Sequence, residues 1–395
     1  MAYTDSSAMA GLIKTAYDRY VEFALRSQPL IRSVADKRPA QQAMPGSSVV
    51  FSLYNDLAAV TSALSSETTD PDAVALADVS TVSVSLAEYG NASLVTRKLQ
   101  LFSLSDVDLA VADIIAFNMA DSLDKIAMET LRQGTNVLYA ASSTARTSTA
   151  SITAADTLKA ADIRKAVAKL RANKAVPREG SLYWCGIHPE VSHDLRAETG
   201  VGGWNDMHKY AETGTGNFWP GTIGTFEGAY FVETPRMYRG MDGADQTALA
   251  TTAVTVAGTS GGYTFGVASS SVIATSSEVG DKVAGTGIAT SPVARITSIV
   301  TSGSTTTITV DTAHTAAVTA TTVVTVTPET AVYRTILAGK QALAEAVAQE
   351  PNVVIGPVVD RLMRFRPIGW YGVLGFARYR EQALYRIESA SSIQG

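Results

Sequence analysis

The strongest constraint on the fold is one helical periodicity that runs from Ser105 to Gly134 without a proline or an internal glycine. Ser105 stands where an N-cap belongs, with Asp108 three residues on in the manner of a capping box. Asp106 and Asp108 set negative charge against the positive end of the helix dipole. Apolar residues recur at Val107, Val111, Ile114, Ile115, Met119, Leu123, Ile126 and Leu131, the spacing of one helical face. Lys125 and Arg132 lie toward the C-terminal end, and Gly134 is a natural stop. At about 1.5 Å per residue the helix is on the order of 40 Å long. Nothing in it is of a catalytic type, and alone it supports no more than a core helix.

What surrounds it is extended. Gly46–Tyr54 and Val79–Ala87 alternate in polarity around a polar middle that contains Asp70-Pro71, which predicts a long hairpin over 46–98. Such a hairpin has little core of its own and needs a neighbour to cover one face. Residues 1–45 read as an N-terminal arm with a short helix carrying Leu12, Ile13, Tyr17, Tyr20 and Phe23, ended by Gln28-Pro29. After the long helix, a Ser/Thr/Ala-rich link over 140–155 leads to a second helix over 156–173 with Asp156 or Thr157 as its cap. A buried strand over Ser181–Ile187 follows, then a helix start at His188-Pro189-Glu190, a Gly- and Trp-rich loop over 199–224 and a strand over Gly228–Pro235. A short helix is expected over Gly339–Val347.

From Thr247 to Thr327 the composition changes to Thr, Val, Ser, Ala and Gly. Alternating runs recur at Thr252–Val256, Tyr263–Val267, Asp281–Gly285, Val293–Val300, Thr305–Val310 and Thr322–Val326, with Ser302-Gly303-Ser304 where a hairpin turn is needed. The flanks, Glu233–Arg236 and Ala331–Leu337, return to the earlier composition. The stretch therefore reads as a small all-β module inserted at an exposed loop of a host domain.

Composition narrows function. Net charge is −5 and only 17% of residues are charged, which disfavours a general nucleic-acid binder. A single cysteine, Cys185, excludes an intrachain disulfide and a cysteine-based zinc cluster. Met1–Ser7 is polar and no apolar run follows it, so no signal peptide or membrane span is expected, and the chain is expected to be made in the cytosol. Cys185 with His188 and His193 is the one nucleophile-like group. A cysteine in an apolar strand is ordinarily an inert small hydrophobe, so no catalytic, cofactor or metal residues are expected. The Gly200–Gly203 and Gly214–Gly216 stretches lack the context of a phosphate loop.

The C-terminal run from Arg361 to Arg386 alternates arginine with aromatic and aliphatic residues, as strands that cross a sheet and carry charge at its edges. It could touch phosphate, but arginine interleaved with aromatics favours a protein interface. Arg361, Arg364, Arg366, Arg378 and Arg380 are the candidate inter-subunit contacts, and Asp56, Glu67, Asp70 and Asp72 of the hairpin are their expected partners on a neighbouring copy.

The order of these elements resembles the Hong Kong-type fold of tailed-phage major capsid proteins, in particular the subgroup named for the N-four phage capsid protein. The resemblance is carried by Glu88-Tyr89-Gly90, the start of the long helix at Asp106 and Asp108, Glu129–Tyr139, Gly186–Pro189 with Asp194-Leu195-Arg196, Gly228–Thr234, and Gly356-Pro357 with Gly369-Trp370 behind. It covers about residues 10–240 and 330–390. It implies an α+β fold divided as an N-terminal arm (1–45), extended loop (46–98), peripheral domain with spine helix (99–155), axial domain (156–246), inserted β-domain (247–327), and axial completion with return to the peripheral domain (328–395). By the resemblance, many copies form hexamers and pentamers of an icosahedral head shell around double-stranded DNA. A scaffold protein, portal and decoration protein are the further expected partners, and the place is the virion capsid, assembled in the bacterial cytoplasm. An encapsulin-like compartment is the alternative within the fold. A surface β-rich adhesin and a cysteine hydrolase are the alternatives outside it.

Overall fold

The computed structural model describes residues 26–39, 48–53, 57, 59–61, 75, 80–102, 107–198, 222–320, 322–357, 362 and 364–393. The chain divides into two compact units, Met1–Ala127 with Leu343–Tyr379, and Met128–Ala342 with Arg380–Gly395.

The first unit is built on a four-stranded sheet in the order Asp36–Pro39, Leu343–Ile355, Phe365–Arg378, Ala87–Thr96. The first pair is parallel and the others antiparallel. The long helix, Val107–Leu131, lies across this sheet. Val111, Ala112, Ile115 and Met119 pack with Val95, Ile368 and Trp370, and Leu123 packs with Val347 and Leu374. The buried stripe is narrower than the sequence pattern: Ile114 is 50% exposed, one position off the line that meets the sheet. Asn118 Oδ1 accepts from Trp370 Nε1 (3.0 Å) and Asn91 Nδ2 (3.2 Å), a polar pin between helix and sheet. Buried Glu345 pairs with Arg32, whose Nε donates at 2.9 Å, and buried Asp124 accepts from Arg32 N at 2.9 Å. Together they lock the Ile31–Val34 turn in place. Ser105, Asp106 and the N-terminal helix lie outside the described residues.

A two-stranded hairpin pairs Ser48–Leu53 with Ser80–Ser85, Ser48 opposite Ser85. Its Phe51 and Val84 pack against Ala344, Ala346 and Tyr379 of the same unit. Contact is close enough that a Cβ at Gly375 would lie 2.1 Å from Ser85 O, so glycine is required there. The polar tip, 62–74, lies outside the described residues. The short helix expected over Gly339–Val347 does not form. Gly339–Ala342 is a turn, and Leu343 opens a thirteen-residue strand. Its helix-favouring Ala and Glu residues are overridden by ladders on both sides, and small Ala344 and Ala346 make room for Phe51 and Tyr379.

The second unit holds a seven-stranded sheet. Its main path runs Val137–Tyr139, Leu384–Ser389, Val332–Ala338, Tyr183–Ile187, Ala229–Glu233, Thr222–Phe226, with Arg239–Gly240 also paired to Val332–Ala338. Helices Ala160–Ala172 and Pro189–Ala197 cover it through Ile163, Val167, Leu170, Val191 and Leu195, which pack on Tyr183, Cys185, Ile187, Phe231, Tyr333 and Leu337. The helix expected to start at Asp156 starts at Ala160 instead, behind Lys159, and Asp156 does not cap it. The Asp156 side chain is buried and accepts from Thr153 N, Ser142 N and Arg146 Nε, closing the preceding loop.

Residues 252–327 supply a six-stranded antiparallel sheet of their own, in the order Lys282–Gly285, Val323–Thr327, Thr252–Val256, Thr264–Ala268, Thr305–Val310, Ile296–Ser302. Phe265, Val267, Ile273, Val283, Ile296, Ile308 and Val324 form its separate core. Gly303, at φ 60°, makes the turn between the last two strands in that order. The module joins its host through a neck in which Gln246 N donates to Pro328 O (2.8 Å) and Asp245 bridges Glu329.

Candidate assembly surface

The first unit leaves unusual surface uncovered. Ala87–Thr96, ten residues long, ends the four-stranded sheet, and among the described residues its ladder partner is Phe365–Arg378 on one side only. It runs into a six-residue helix, Arg97–Phe102, none of whose residues is buried. Thr96 Oγ1 accepts from Leu99 N (3.3 Å) as a cap, and Arg97 N donates to Arg364 O (2.8 Å). These bonds set the direction of the helix but bury nothing. Leu94, Leu99, Leu101 and Phe102 are 60, 50, 72 and 79% exposed, and Leu362 is 68% exposed. A helix this short is not stable on hydrogen bonds alone, and an apolar cluster on a long free strand edge is the signature of a surface that meets protein. The sequence reading missed it. Its signal is the stretch Arg97-Lys98-Leu99-Gln100-Leu101-Phe102, which packs three large apolar residues into six positions too few to build a core of their own.

The predicted arginines do not form one patch. Arg364 and Arg366 are exposed at the start of the Phe365–Arg378 strand, and Arg378 ends it, about 40 Å away at roughly 3.3 Å per residue. The Arg364 guanidinium sits 5.2 Å from the Phe365 ring centre. Arg380 is exposed in the second unit, its backbone N donating to Gln341 O (3.0 Å). Arg361, Asp56, Glu67, Asp70 and Asp72 lie outside the described residues.

Groups that suggested chemistry are held in structural roles. Cys185 is fully buried in the Tyr183–Ile187 strand, and burial pushes its thiol pKa well above the ordinary value, which removes the thiolate a nucleophile needs. His188 Nδ1 accepts from Glu190 N (3.3 Å) as the cap of the Pro189–Ala197 helix. Its ring stacks at a tilt on Tyr333, 5.1 Å between centres, and burial lowers its pKa. Among the described residues no group of three or more His, Cys, Asp or Glu is placed to hold a metal ion, and no helix is long and apolar enough to cross a membrane.

The neck of the β-module is clasped by charge. Glu329, 5% exposed, accepts from Lys282 Nζ (2.6 Å) and from Arg295 Nη1, and Lys282 also reaches Asp245 (2.6 Å). Arg295 Nη1 further donates to Met241 O (3.0 Å) and Gly280 O (2.9 Å). Hydrogen bonds from Lys282 to Asp245 and Glu329 raise the lysine pKa, so the lysine keeps its charge across the neutral range.

The same architecture occurs in solved phage shells. Over 99% of this chain and 100% of the other, the structure is similar to the cyanophage Pam1 capsid asymmetric unit, with TM-score 0.62 and 12% identity. It is similar to the capsid of Ralstonia phage GP4 over 97% of each chain, with TM-score 0.61 and 13% identity. It is similar to the acid-stable capsid of Helicobacter pylori bacteriophage KHP30 over 99% of each chain, with TM-score 0.57 and 14% identity. The fold is thus the Hong Kong-type fold expected from the order of elements. No curated protein sequence matches the chain. The family model described as phage capsid protein matches residues 14–393. By that match over nearly its whole length, the chain belongs to the phage capsid protein family and has its place in the virion capsid.

Proposed function

We propose that this capsid protein is the major subunit of a tailed-phage head, and that its shell closes through the apolar end of the first unit. The observation that carries this reading is the unburied Arg97–Phe102 helix with Leu94, Leu99, Leu101 and Phe102 exposed beside a free strand edge. A second copy covers that surface. At about 1.5–3 kcal/mol for a fully exposed large apolar side chain, scaled to the exposures of these four residues, burial makes on the order of 4–8 kcal/mol available per contact, before the cost of association. Repetition around a closed shell turns such modest contacts into a stable particle. Arg364, Arg366 and Arg378 pair with carboxylates of neighbouring copies, the hairpin acids Asp56, Glu67, Asp70 and Asp72 among them. The four-stranded unit acts as the peripheral domain and the seven-stranded unit as the axial domain, with the β-module displayed from the latter. The work of the protein is adhesive and conformational rather than catalytic.

The test is a triple substitution, Leu99→Ser, Leu101→Ser and Phe102→Ser, expressed with whatever scaffold protein the wild type needs. The exposed changes leave the isolated chain folded, with its melting temperature within about 2 °C of wild type, because surface substitutions ordinarily fall within ±0.5 kcal/mol. Electron microscopy is expected to show shells for the wild type and none for the variant. Normal shells from the triple variant would refute this surface.

A further inference from the structure

Three turns of the second unit converge on a cavity of about 200 Å³ that contains no carboxylate in its wall. Each turn contributes one cation. Lys174 follows the Ala160–Ala172 helix, Lys340 follows the Val332–Ala338 strand, and Arg380 opens the turn before Leu384–Ser389. The neutral donors Asn173, Gln341 and Gln382 complete the polar lining. The turns are tied to one another by the backbone: Lys340 N donates to Val176 O (2.9 Å), Gly339 N to Ala383 O (2.8 Å) and Arg380 N to Gln341 O (3.0 Å).

Two further observations set the place apart. Lys174, at φ 56°, is the left-handed residue of a Schellman cap that ends the Ala160–Ala172 helix, with Ala175 N donating to Leu170 O (3.0 Å) and Lys174 N to Arg171 O (3.0 Å), so its backbone is fixed by the helix end. Gln341 is also left-handed, at φ 61°, with no helix to close, a costly conformation of the kind that concentrates where a chain is held for binding. Among the described residues no ion pair neutralises Lys174, Lys340 or Arg380. Glu381, their neighbour in sequence, accepts from Thr135 Oγ1 (3.0 Å) instead. Three cations on a rigid frame, unneutralised in a chain of net charge −5, form a local field that favours an anion.

We propose that this cavity is a binding site for one phosphate group. A carboxylate would leave most of the triple positive charge uncompensated, whereas a phosphate offers several oxygens to donors arriving from three turns. Free phosphate and the backbone of enclosed DNA share this chemistry. Binding of phosphate stands independently of shell formation, while assignment to enclosed DNA rests on the proposed shell function.

The test is calorimetric titration of the unassembled chain at low salt with sodium phosphate, sodium acetate and a 20-base-pair duplex. The variants are Lys174→Gln/Lys340→Gln/Arg380→Gln and the charge-retaining Lys174→Arg/Lys340→Arg/Arg380→Lys. Phosphate is expected to bind at least tenfold more tightly than acetate, to lose at least tenfold in the neutral variant, and to be retained in the charged one. For the duplex, the plot of log affinity against log salt is expected to become shallower by about 0.9 in the neutral variant, the value for one phosphate released from contact. Phosphate loss with an unchanged duplex slope supports the site and overturns DNA as its source. No phosphate binding by the wild type, equal binding of acetate, or equal loss in both variants overturns the site. A chain that binds phosphate but forms no shells defeats the shell reading and leaves this one intact.

Discussion

Asp156 is predicted to be the most sensitive polar residue of the second unit. Its carboxylate is fully buried and accepts from Thr153 N (2.9 Å), Thr153 Oγ1 (2.8 Å), Ser142 N (2.8 Å) and Arg146 Nε (2.7 Å). Its own carbonyl accepts from Ala390 N (2.9 Å), which ties the loop to the end of the Leu384–Ser389 strand. Asp156→Ala leaves two backbone N–H groups without acceptors, at about 1–3 kcal/mol each. Arg146 is 20% exposed and regains water, so its loss adds less. The expected cost is about 3–5 kcal/mol, which lowers the melting temperature of a unit of this size by roughly 10 °C. Burial alone would raise this carboxyl pKa, but the hydrogen bonds from Thr153, Ser142 and Arg146 outweigh it and hold it well below the usual range. The folded pKa is therefore below the unfolded one. The stabilisation is complete above about pH 4 and drains away as pH falls below that. Circular-dichroism melts of the unassembled chain at pH 7 and at several acid pH values measure both effects. A drop under 2 °C at pH 7, or acid slopes that run parallel in wild type and variant, would refute the reasoning.

The β-module should be removable. Replacing 247–327 with an Asn-Gly turn closes the neck as a hairpin, because Gln246 and Pro328 are already hydrogen-bonded neighbours. With Glu329→Gln the host is expected to melt close to wild type. Global unfolding of the glutamine version would contradict the module's independence. Cys185 should be silent: a disulfide thiol reagent is expected to label it only on unfolding, and Cys185→Ala to leave shell yield unchanged. Rapid labelling of the native chain would show that the thiol is accessible after all.

Where local pattern and tertiary environment agree, the structure follows the sequence closely. The alternating runs at Thr252–Val256 and Thr305–Val310 are strands with those bounds, and Ser302-Gly303-Ser304 makes the turn expected of it. There, each strand buries one face in the module's own core, so period-two alternation is the dominant physical demand. Where the environment comes from far away in sequence, local reading fails. Ala342–Val347 has helix-forming composition but lies between two ladders. Asp156 has the type and position of a cap, yet its partners lie before it in the loop rather than in the helix it precedes.

The assembly surface divides the same way. The sequence by itself determined that a long helix lies beside extended strands, that a β-module interrupts a mixed domain, and that arginine and aromatic residues alternate near the C-terminus. These are periodicities and compositions, which each segment expresses through its own backbone and side chains. Only the tertiary structure decided that Ile114 faces outward while Ile115 is buried, that the arginines separate to opposite ends of one strand, and that Leu99, Leu101 and Phe102 are left without cover. It also brought Lys174, Lys340 and Arg380 to one cavity. Burial and charge proximity depend on which surfaces the folded chain brings together, and no local periodicity encodes that.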